Sequence, residues 1–526
     1  MSSFNFIITA IGMFLLSVWI MQFSQIDGWD IYHFMYSGQR LLEGELNWTI
    51  EYFDKLIISQ IIFVIPALFK SIQVWYLISA VTVIISAWAC YKIVNYVLSD
   101  NTEISLKDRK FASYIAACSV VYLSSVLPGG LMHVNVASSS AAILALALFV
   151  LSSAVSSSLL FRKYTLFFLS TLSASISIGI RPYFLFALIF TIALFLIFKS
   201  RSFSGYKSIF FQLVLWVFGV GIFGILINVV PYFIIGDVSA FIAGMSLLSQ
   251  ILNPTQVLPI IGNIILDIEK QQILTIILIV LSFSSSIAAL IYIFSFKDIN
   301  SNLNRMMLNI TLLTFISPLL ILVMIFSRHY WSHYLQMFAP FWSVGVGFFY
   351  FFFNKQYNLK EALISNHIKW SLAISLVLFA IMPPFVKNIK EINDTILNKS
   401  ELSVGQIRVR EVSNILSNQL EGQRDFLFID DMRTHFILNE YRHGFPQAAL
   451  TRHIVKYENL KNVNMPDRYK YPTNSEEYCE MIEKMGPSII FVANKIPEFE
   501  TSCLSKTVFY SYKKKLQTNV SVYIRN

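Results

Sequence analysis

Residues 272–296, QILTIILIVLSFSSSIAALIYIFSF, contain no charged side chain. Crossing about 30 Å of hydrocarbon takes roughly 20 helical residues, so this stretch is long enough for a transmembrane helix. The whole chain of 526 residues has a similar character, with 56% apolar and only 13% charged residues. Soluble proteins average about 25% charged residues, which excludes a water-soluble enzyme. We therefore predict a polytopic α-helical membrane protein.

Similar apolar runs recur along the chain and predict eleven transmembrane helices, with twelve or thirteen as alternatives. The stretch 164–199 is about twice as long as one span and is interrupted by Arg181-Pro182, so we interpret it as two short helices. The run 56–69 is short and contains Pro66, which favours an interfacial or re-entrant segment. The other predicted spans are 4–24, 74–97, 111–127, 136–160, 209–235, 272–296, 305–327, 334–354 and 369–386.

The basic residues predict the orientation, because Lys and Arg gather in cytoplasmic loops. If 56–69 does not cross and the N-terminus is cytoplasmic, the basic loops around Lys107, Arg162 and Lys199 all lie inside. The formal net charge of +9 has the same explanation, and we expect no nucleic-acid partner. We predict a multi-pass protein of the bacterial inner (plasma) membrane, with a cytoplasmic N-terminus.

The tail, 387–526, differs in composition from the transmembrane part, 1–386, and we predict that it is a small exported α/β domain on the periplasmic or extracellular side. Its predicted strands lie at 425–430, 488–493 and 519–524, and its predicted helix at 475–486. Cys479 and Cys503 either pair in this domain or stay free.

The first predicted outer loop, 25–55, reads QIDGWDIYHFMYSGQRLLEGELNWTIEYFDK. Asp27 and Asp30 are three residues apart, so a helix would place both carboxylates on one face. Acidic side chains at a membrane indicate function where a cavity holds them, and mean little where the loop is solvated. Asp27 has a further alternative as a helix N-cap. In a long predicted outer loop, 236–271, the apolar segment 251–270 is either a movable lid over the donor site or a passive amphipathic connector.

Residues 30–44 follow the pattern D-x7-G-x-x-L-L-x-G, which resembles the first periplasmic loop of GT-C glycosyltransferases, of the protein-mannosyltransferase and aminoarabinose-transferase type. A Lys-Pro pair that often follows in that family is replaced by Asp-Lys-Leu at 54–56, where the proline is missing. Residues 327–342, SRHYWSHYLQMFAPFW, look like a late-span H-Y-L…P element of the family. Residues 426–453 are similar to the opening of the exported domain in many members.

The resemblance implies a GT-C-like fold and an enzyme that moves a sugar from a polyprenyl-phosphate donor to a hydroxyl of a cell-envelope glycan, lipid or protein. In this interpretation Asp30 is the general base, and Asp27 is the alternative base or, with Asp30, a ligand of Mg²⁺ or Mn²⁺. The groups expected to bind substrate are Arg328, His333, Arg181, Lys55, Asp54 and His133. Arg328 and His333 have an alternative as part of an interfacial belt, and His133 as part of a simple turn after Pro-Gly-Gly.

Two rival functions remain open at this stage. An O-antigen polymerase or ligase also uses exported lipid-linked glycans, although such enzymes typically rely on Arg in large outer loops. A transporter or flippase for lipid-linked sugars would be expected to contain broken helices at the midplane and an internal repeat, and neither is visible in the sequence.

Overall fold

The computed structural model describes a set of separate segments of the chain. They are residues 29–49, 56–69, 71–99, 104–127, 136–156, 159–180, 185, 187–188, 191–192, 206–251, 257–269, 271, 273–295, 302–327, 332–356, 404–419, 426–429, 480, 482–484, 486–493 and 510–525. These residues fall into two compact units. The first draws on Gln73–Pro231 and Leu252–Ile389, and the second on Gln25–Ile72, Tyr232–Ile251 and Lys390–Asn526.

The first unit is a bundle of long apolar helices. Its helices are α4 (Ile72–Leu98), α5 (Leu106–Val126), α6 (Val136–Ser156), α7 (Leu160–Ile180), α8 (Tyr206–Asn228), α11 (Val257–Glu269), α12 (Ile273–Ser295), α13 (Asn302–Ser327), a 3-10 helix (Ser332–Phe338) and α14 (Ala339–Gln356). Helix α6 packs on α7, which also contacts α8, while α14 packs against α5, α12 and α13.

Six stretches of the described part of the chain are long and apolar enough to cross a membrane. They are Leu77–Leu98, Leu160–Ile180, Phe210–Asn228, Ile273–Ile291, Met306–Ile325 and Tyr334–Phe352. The prediction of a multi-pass helical membrane protein is therefore confirmed. The count of eleven stays a prediction, because the spans expected at 4–24 and 369–386 lie outside the described residues.

The span expected at 209–235 was drawn too long. Helix α8 ends at Asn228, and a separate short helix, α9 (Val230–Ile234), follows after one residue. Pro231 explains the break, because it lacks the backbone N–H that would continue the hydrogen bonds of α8. The loop expected from residue 236 onwards also contains helices, α10 (Val238–Ile251) and α11.

Serine side chains join helices inside the bundle. Ser140 and Ser177 each donate to the other's carbonyl oxygen, at 2.9 and 2.7 Å, and link α6 to α7. Ser170 donates to the carbonyl of Ala147 at 3.0 Å and accepts from the Trp216 indole at 3.1 Å. Small hydroxyl residues let transmembrane helices approach closely while satisfying their polar groups, so this serine content stabilises helix packing.

The second unit contains a small α/β fold near the C-terminus. Helix α15 (Val404–Gln419) precedes strands β1 (Phe426–Ile429), β2 (Ile489–Ala493), β3 (Tyr510–Lys515) and β4 (Val520–Arg525). The strands form one sheet in the order β1-β2-β4-β3, with β1 parallel to β2 and the other pairs antiparallel. The buried core consists of Val412, Ile415, Ile489, Phe491, Val520 and Val522.

The three strands expected in the tail are confirmed, and β3 was missed. Its sequence, YSYKKK, carries three lysines at the edge of the sheet, where charged side chains discourage pairing with other chains. The helix expected at 475–486 is described only at 480 and 482–484, which are helical, and Gly486 follows with a φ of +64°. Cys479, Cys503 and the expected domain boundary near 387 lie outside the described residues.

Candidate active site

Helix α1 (Trp29–Leu42), in the first predicted outer loop, carries the acidic residue of the D-x7-G pattern. Asp30 lies in its first turn, and the structure describes the backbone at this position. The following segment, 56–69, forms two short helices, α2 (Ile57–Ile62) and α3 (Val64–Leu68). At about 1.5 Å per residue neither helix approaches the thickness of a bilayer, and both pack against α1.

Gly38 sets the closest approach between α1 and the junction of α2 and α3. A Cβ atom added at Gly38 would lie 2.5 Å from the carbonyl oxygen of Phe63. One turn earlier on α1, the ring of Phe34 stacks on the Phe63 ring with their centroids 5.0 Å apart. Position 38 therefore requires glycine, because no side chain fits between these two backbones.

Gly44 forms the turn that ends α1. Its φ is +87°, which is the left-handed region that glycine adopts without steric cost, and its N–H donates to the carbonyl of Leu41 at 3.0 Å. The N–H of Glu45 donates back to the carbonyl of Arg40 at 2.9 Å. Both glycines of the pattern thus serve the shape of the loop.

The amide of Gln60 joins α2 to α1 and to the turn. Its Nε2 donates to the carbonyl oxygens of Ser37, at 2.8 Å, and Glu45, at 2.9 Å. Its Oε1 accepts from the backbone N–H of Asn47 at 3.0 Å, and the Ser37 hydroxyl donates to Asn47 Oδ1 at 2.7 Å. Gln60 is 1% exposed. We call Gln60, Ser37, Glu45 and Asn47 the Gln60 clamp.

Trp48 anchors the same turn to the start of the long predicted outer loop, 236–271. Its side chain is fully buried, and its backbone has a φ of +72°, a genuine outlier for a bulky residue. The indole lies against the rings of Tyr232 and Phe241, with centroid distances of 6.2 and 5.7 Å. Tyr232 also donates a short hydrogen bond to the carbonyl of Asn47. A Cβ added at Gly244 would meet the indole at 2.1 Å.

Two acidic residues of the loop form ion pairs with the same arginine. Arg40 forms an ion pair with Glu45 and a longer one, of 3.5 Å, with Glu43. The same guanidinium lies over the ring of Tyr36, 6.0 Å from its centroid. These ion pairs hold both acids at the end of α1, and residues 29–49 form an ordered structure with a buried interior rather than a solvated connection.

No family model matches this sequence, and no curated protein matches it. Among solved structures, the chain is similar to ArnT from Cupriavidus metallidurans bound to undecaprenyl phosphate, with a TM-score of 0.58 and 10% sequence identity. It is also similar to the apo state of that protein, with a TM-score of 0.59 and 11% identity. Each match covers 99% of this chain and 98% of the other. The chain has the ArnT fold.

The likeness covers nearly the whole chain, so it includes both the transmembrane helices and the C-terminal α/β fold. It confirms the GT-C-like architecture that the first-loop pattern implied. At this low identity the likeness concerns the fold, and the roles of individual residues have to be argued from this chain.

Most of the expected site residues lie outside the described part of the chain. These are Asp27, Asp54, Lys55, His133, Arg181 and Arg328. His333 lies in the 3-10 helix Ser332–Phe338, where the structure describes its backbone. The buried Gln336 of that helix donates to the carbonyl of Leu127 at 2.7 Å. This hydrogen bond joins the helix of His333 to Leu127, the first residue of the predicted loop that contains His133.

The described residues contain no cluster of three or more His, Cys, Asp or Glu that would hold a metal ion. The carboxylates expected to bind Mg²⁺ or Mn²⁺, Asp27 and Asp30, are not among those whose side chains the structure describes. The metal site therefore stays a hypothesis from the sequence.

Sequence reasoning missed the residues that organise this loop: Gln60, Asn47, Trp48, Tyr232 and Gly244. None of them carries a charge, and Gln60 interrupts a run that reads simply as apolar. An amide inside the apolar stretch 57–69 was the one available signal, because a buried polar group needs partners.

Proposed function

We propose that this protein is a membrane glycosyltransferase that moves a sugar from a polyprenyl-phosphate donor to an acceptor hydroxyl on the outer face of the membrane. The observation that carries the proposal is the likeness of the whole chain to ArnT, a protein solved with undecaprenyl phosphate bound. The Asp30-containing helix, held by the Gln60 clamp, supports it independently, because a base acts only from a defined position.

In the proposed reaction Asp30 takes the proton of the acceptor hydroxyl while its oxygen attacks the anomeric carbon of the sugar. The bond between the anomeric carbon and the phosphate oxygen breaks, and the lipid phosphate leaves with the bonding electron pair. A nearby carboxylate also stabilises the positive charge that develops on the sugar ring. Asp27 is the alternative base.

The leaving phosphate needs cations rather than a general acid, because it departs as an anion. Arg328 and Arg181 are proposed for this role, since a guanidinium stays charged and presents fixed donors to phosphate oxygens. His333, His133, Lys55 and Asp54 are proposed to line the same substrate site. If a divalent cation takes part, Asp27 and Asp30 are the carboxylates that would hold it.

The deciding experiment is Asp30→Asn, with Asp27→Asn alongside, assayed for glycan transfer in proteoliposomes that contain the lipid-linked donor. Loss of the base should lower turnover by about 10²–10⁴-fold. Glu43→Gln is the matched control, since this half-exposed acid belongs to the same loop and already pairs with Arg40. Full activity in both Asp variants would end the proposal for this base.

The same preparations test the arginines through undecaprenyl phosphate binding. Arg328→Ala and Arg181→Ala should weaken this binding, and unchanged affinity would remove both from the donor site. Analysis of the lipid product separates the rival functions, because a transporter returns the lipid-linked sugar intact while a transferase consumes it.

A further inference from the structure

We infer that Gln60 is a positioning residue, which holds helix α1 and therefore Asp30 in the place that sugar transfer requires. The inference rests on the proposed function, and it assigns the residue through geometry that lies entirely within the second compact unit. Gln60 acts through α1 and its turn.

The amide is placed to fix three backbone positions at once. Its partners Ser37, Glu45 and Asn47 are 23, 15 and 13 residues away in sequence. Both N–H bonds of the amide point at carbonyl oxygens, which only accept, and its oxygen receives an N–H. Every partner is a main-chain group, so the clamp defines the path of the backbone rather than the arrangement of side chains.

A glutamine is a costly choice if packing alone were required at this position. Burying an amide is unfavourable by several kcal/mol unless its hydrogen bonds are satisfied, whereas an apolar side chain of equal volume would fill the same space. A fully satisfied buried polar network instead specifies one geometry, because any shift breaks bonds that water cannot replace. The neighbouring residues Ile57, Ile58 and Phe63 already supply buried apolar surface.

The clamp lies close enough to Asp30 to control it. Ser37 follows Asp30 by seven residues of one continuous helix, a distance of about 10 Å along the axis. Gly38 presses the same turn of the helix against the backbone of Phe63. A helix transmits such constraints over two turns, and a displacement of about 1 Å at a reacting group can lower a rate by about 10²-fold.

The turn that receives the clamp is held by a second anchor. Trp48 keeps a left-handed backbone conformation, which is unfavourable for a bulky residue and persists only where the surroundings determine it. Tyr232, which stacks on Trp48, donates to the carbonyl of Asn47, while Gln60 receives the Asn47 N–H. The peptide units on the two sides of Asn47 are therefore both fixed, which restricts the turn and the end of α1.

The test compares Gln60→Met, which keeps the volume and removes the three hydrogen bonds, with the control Gln39→Ala. Gln39 is a glutamine of α1 that donates an exposed side-chain hydrogen bond to Glu43 at 3.2 Å. The full-length protein is reconstituted with the donor. We expect Gln60→Met to lower kcat by about 10–100-fold with the donor KM within about threefold of the wild type. Gln39→Ala should resemble the wild type.

Two further readouts separate positioning from a general loss of structure. Amide hydrogen exchange of residues 30–49 should accelerate in Gln60→Met, while exchange in β2 and β4 stays unchanged. In the Asp30→Asn background, Gln60→Met should have no further effect on the residual turnover, because it acts through Asp30. Ser37→Ala, which removes only the 2.7 Å bond to Asn47, is the milder variant if Gln60→Met does not fold.

Unchanged exchange in residues 30–49 would refute the clamp itself, whatever the protein catalyses. Faster exchange with wild-type kcat, or an equal loss of turnover with and without the Asp30 carboxylate, would refute the positioning role. A wild-type protein that transfers no sugar would instead overturn the proposed function.

Discussion

At the scale of single residues, two glycines of the first loop have different tasks. Gly44 adopts a backbone conformation that other residues avoid, with a φ of +87°, and an added Cβ would meet nothing there. Gly38 lacks a side chain where the backbone of Phe63 lies too close to leave room for one. An alanine at either position would disturb the loop, but through strain in the first case and collision in the second. The collision at Gly38 is with a backbone carbonyl, which moves only if α1 separates from α2 and α3.

Gly38→Ala should therefore lower both stability and transfer activity. Forcing a methyl group into a position 2.5 Å from the Phe63 carbonyl should cost about 1–3 kcal/mol. Thermal unfolding in detergent and the transfer assay measure the two effects. Gly221→Ala in helix α8 is the control, because an added Cβ there meets nothing within 4 Å. Equal melting temperatures for the two variants would contradict the role given to Gly38.

At the scale of elements, the first loop and helix α10 form one packed structure. The contact depends on the small size of Gly244, because the Trp48 indole occupies the space that a side chain at this position would fill. Tyr232 and Phe241 complete the aromatic cluster on either side of that contact. The start of the long predicted outer loop, 236–271, is thus a fixed support of the first loop, and the lid interpretation of the later segment 251–270 stays a prediction.

A double-mutant cycle tests that contact. Gly244→Ala alone should be strongly destabilising, because its methyl group collides with the indole, and Trp48→Ala alone should cost about 3–5 kcal/mol for the lost burial. In the Trp48→Ala background, Gly244→Ala should cost little, because the collision is gone. Unfolding midpoints of the four proteins give the coupling energy. Additive losses would show that the two residues do not constrain each other.

At the scale of the whole molecule, the remaining question is orientation. The ArnT fold makes the chain a multi-pass membrane protein, and the distribution of Lys and Arg predicts that the loop of Lys107 is cytoplasmic and the α/β domain exported. The proposed chemistry requires the first loop to lie on the side where the lipid-linked donor is presented, and the predicted orientation places this domain on that side too.

Labelling with a membrane-impermeant maleimide checks this orientation. Gln517→Cys, on the α/β domain, should react in intact spheroplasts, while Lys107→Cys should react only after lysis; both positions are exposed. The background carries serine at Cys479 and Cys503, and Cys90, which is buried, and Cys118, which is half-buried, should remain unreactive. The reverse pattern would place the proposed active site on the wrong side of the membrane.

From the amino-acid sequence alone, we predicted the membrane class, most positions of the long apolar helices and three of the four strands. These properties depend on the local order of apolar and polar residues, which the chain displays directly. The sequence also determined that an acidic residue opens the first loop and that glycines follow at defined intervals, although the reason for those glycines was not visible.

The structural roles of the first-loop glycines and of the residues that hold this loop are visible only in the folded chain. Gln60 reads as an interruption of an apolar run until Ser37 and Asn47 are seen to share its amide. Gly244 reads as a helix glycine until Trp48, almost two hundred residues earlier, fills the space beside it. The physical reason is that a hydrogen bond or a collision is a property of two groups, and their separation in space is set by the folded chain rather than by the residues around either one.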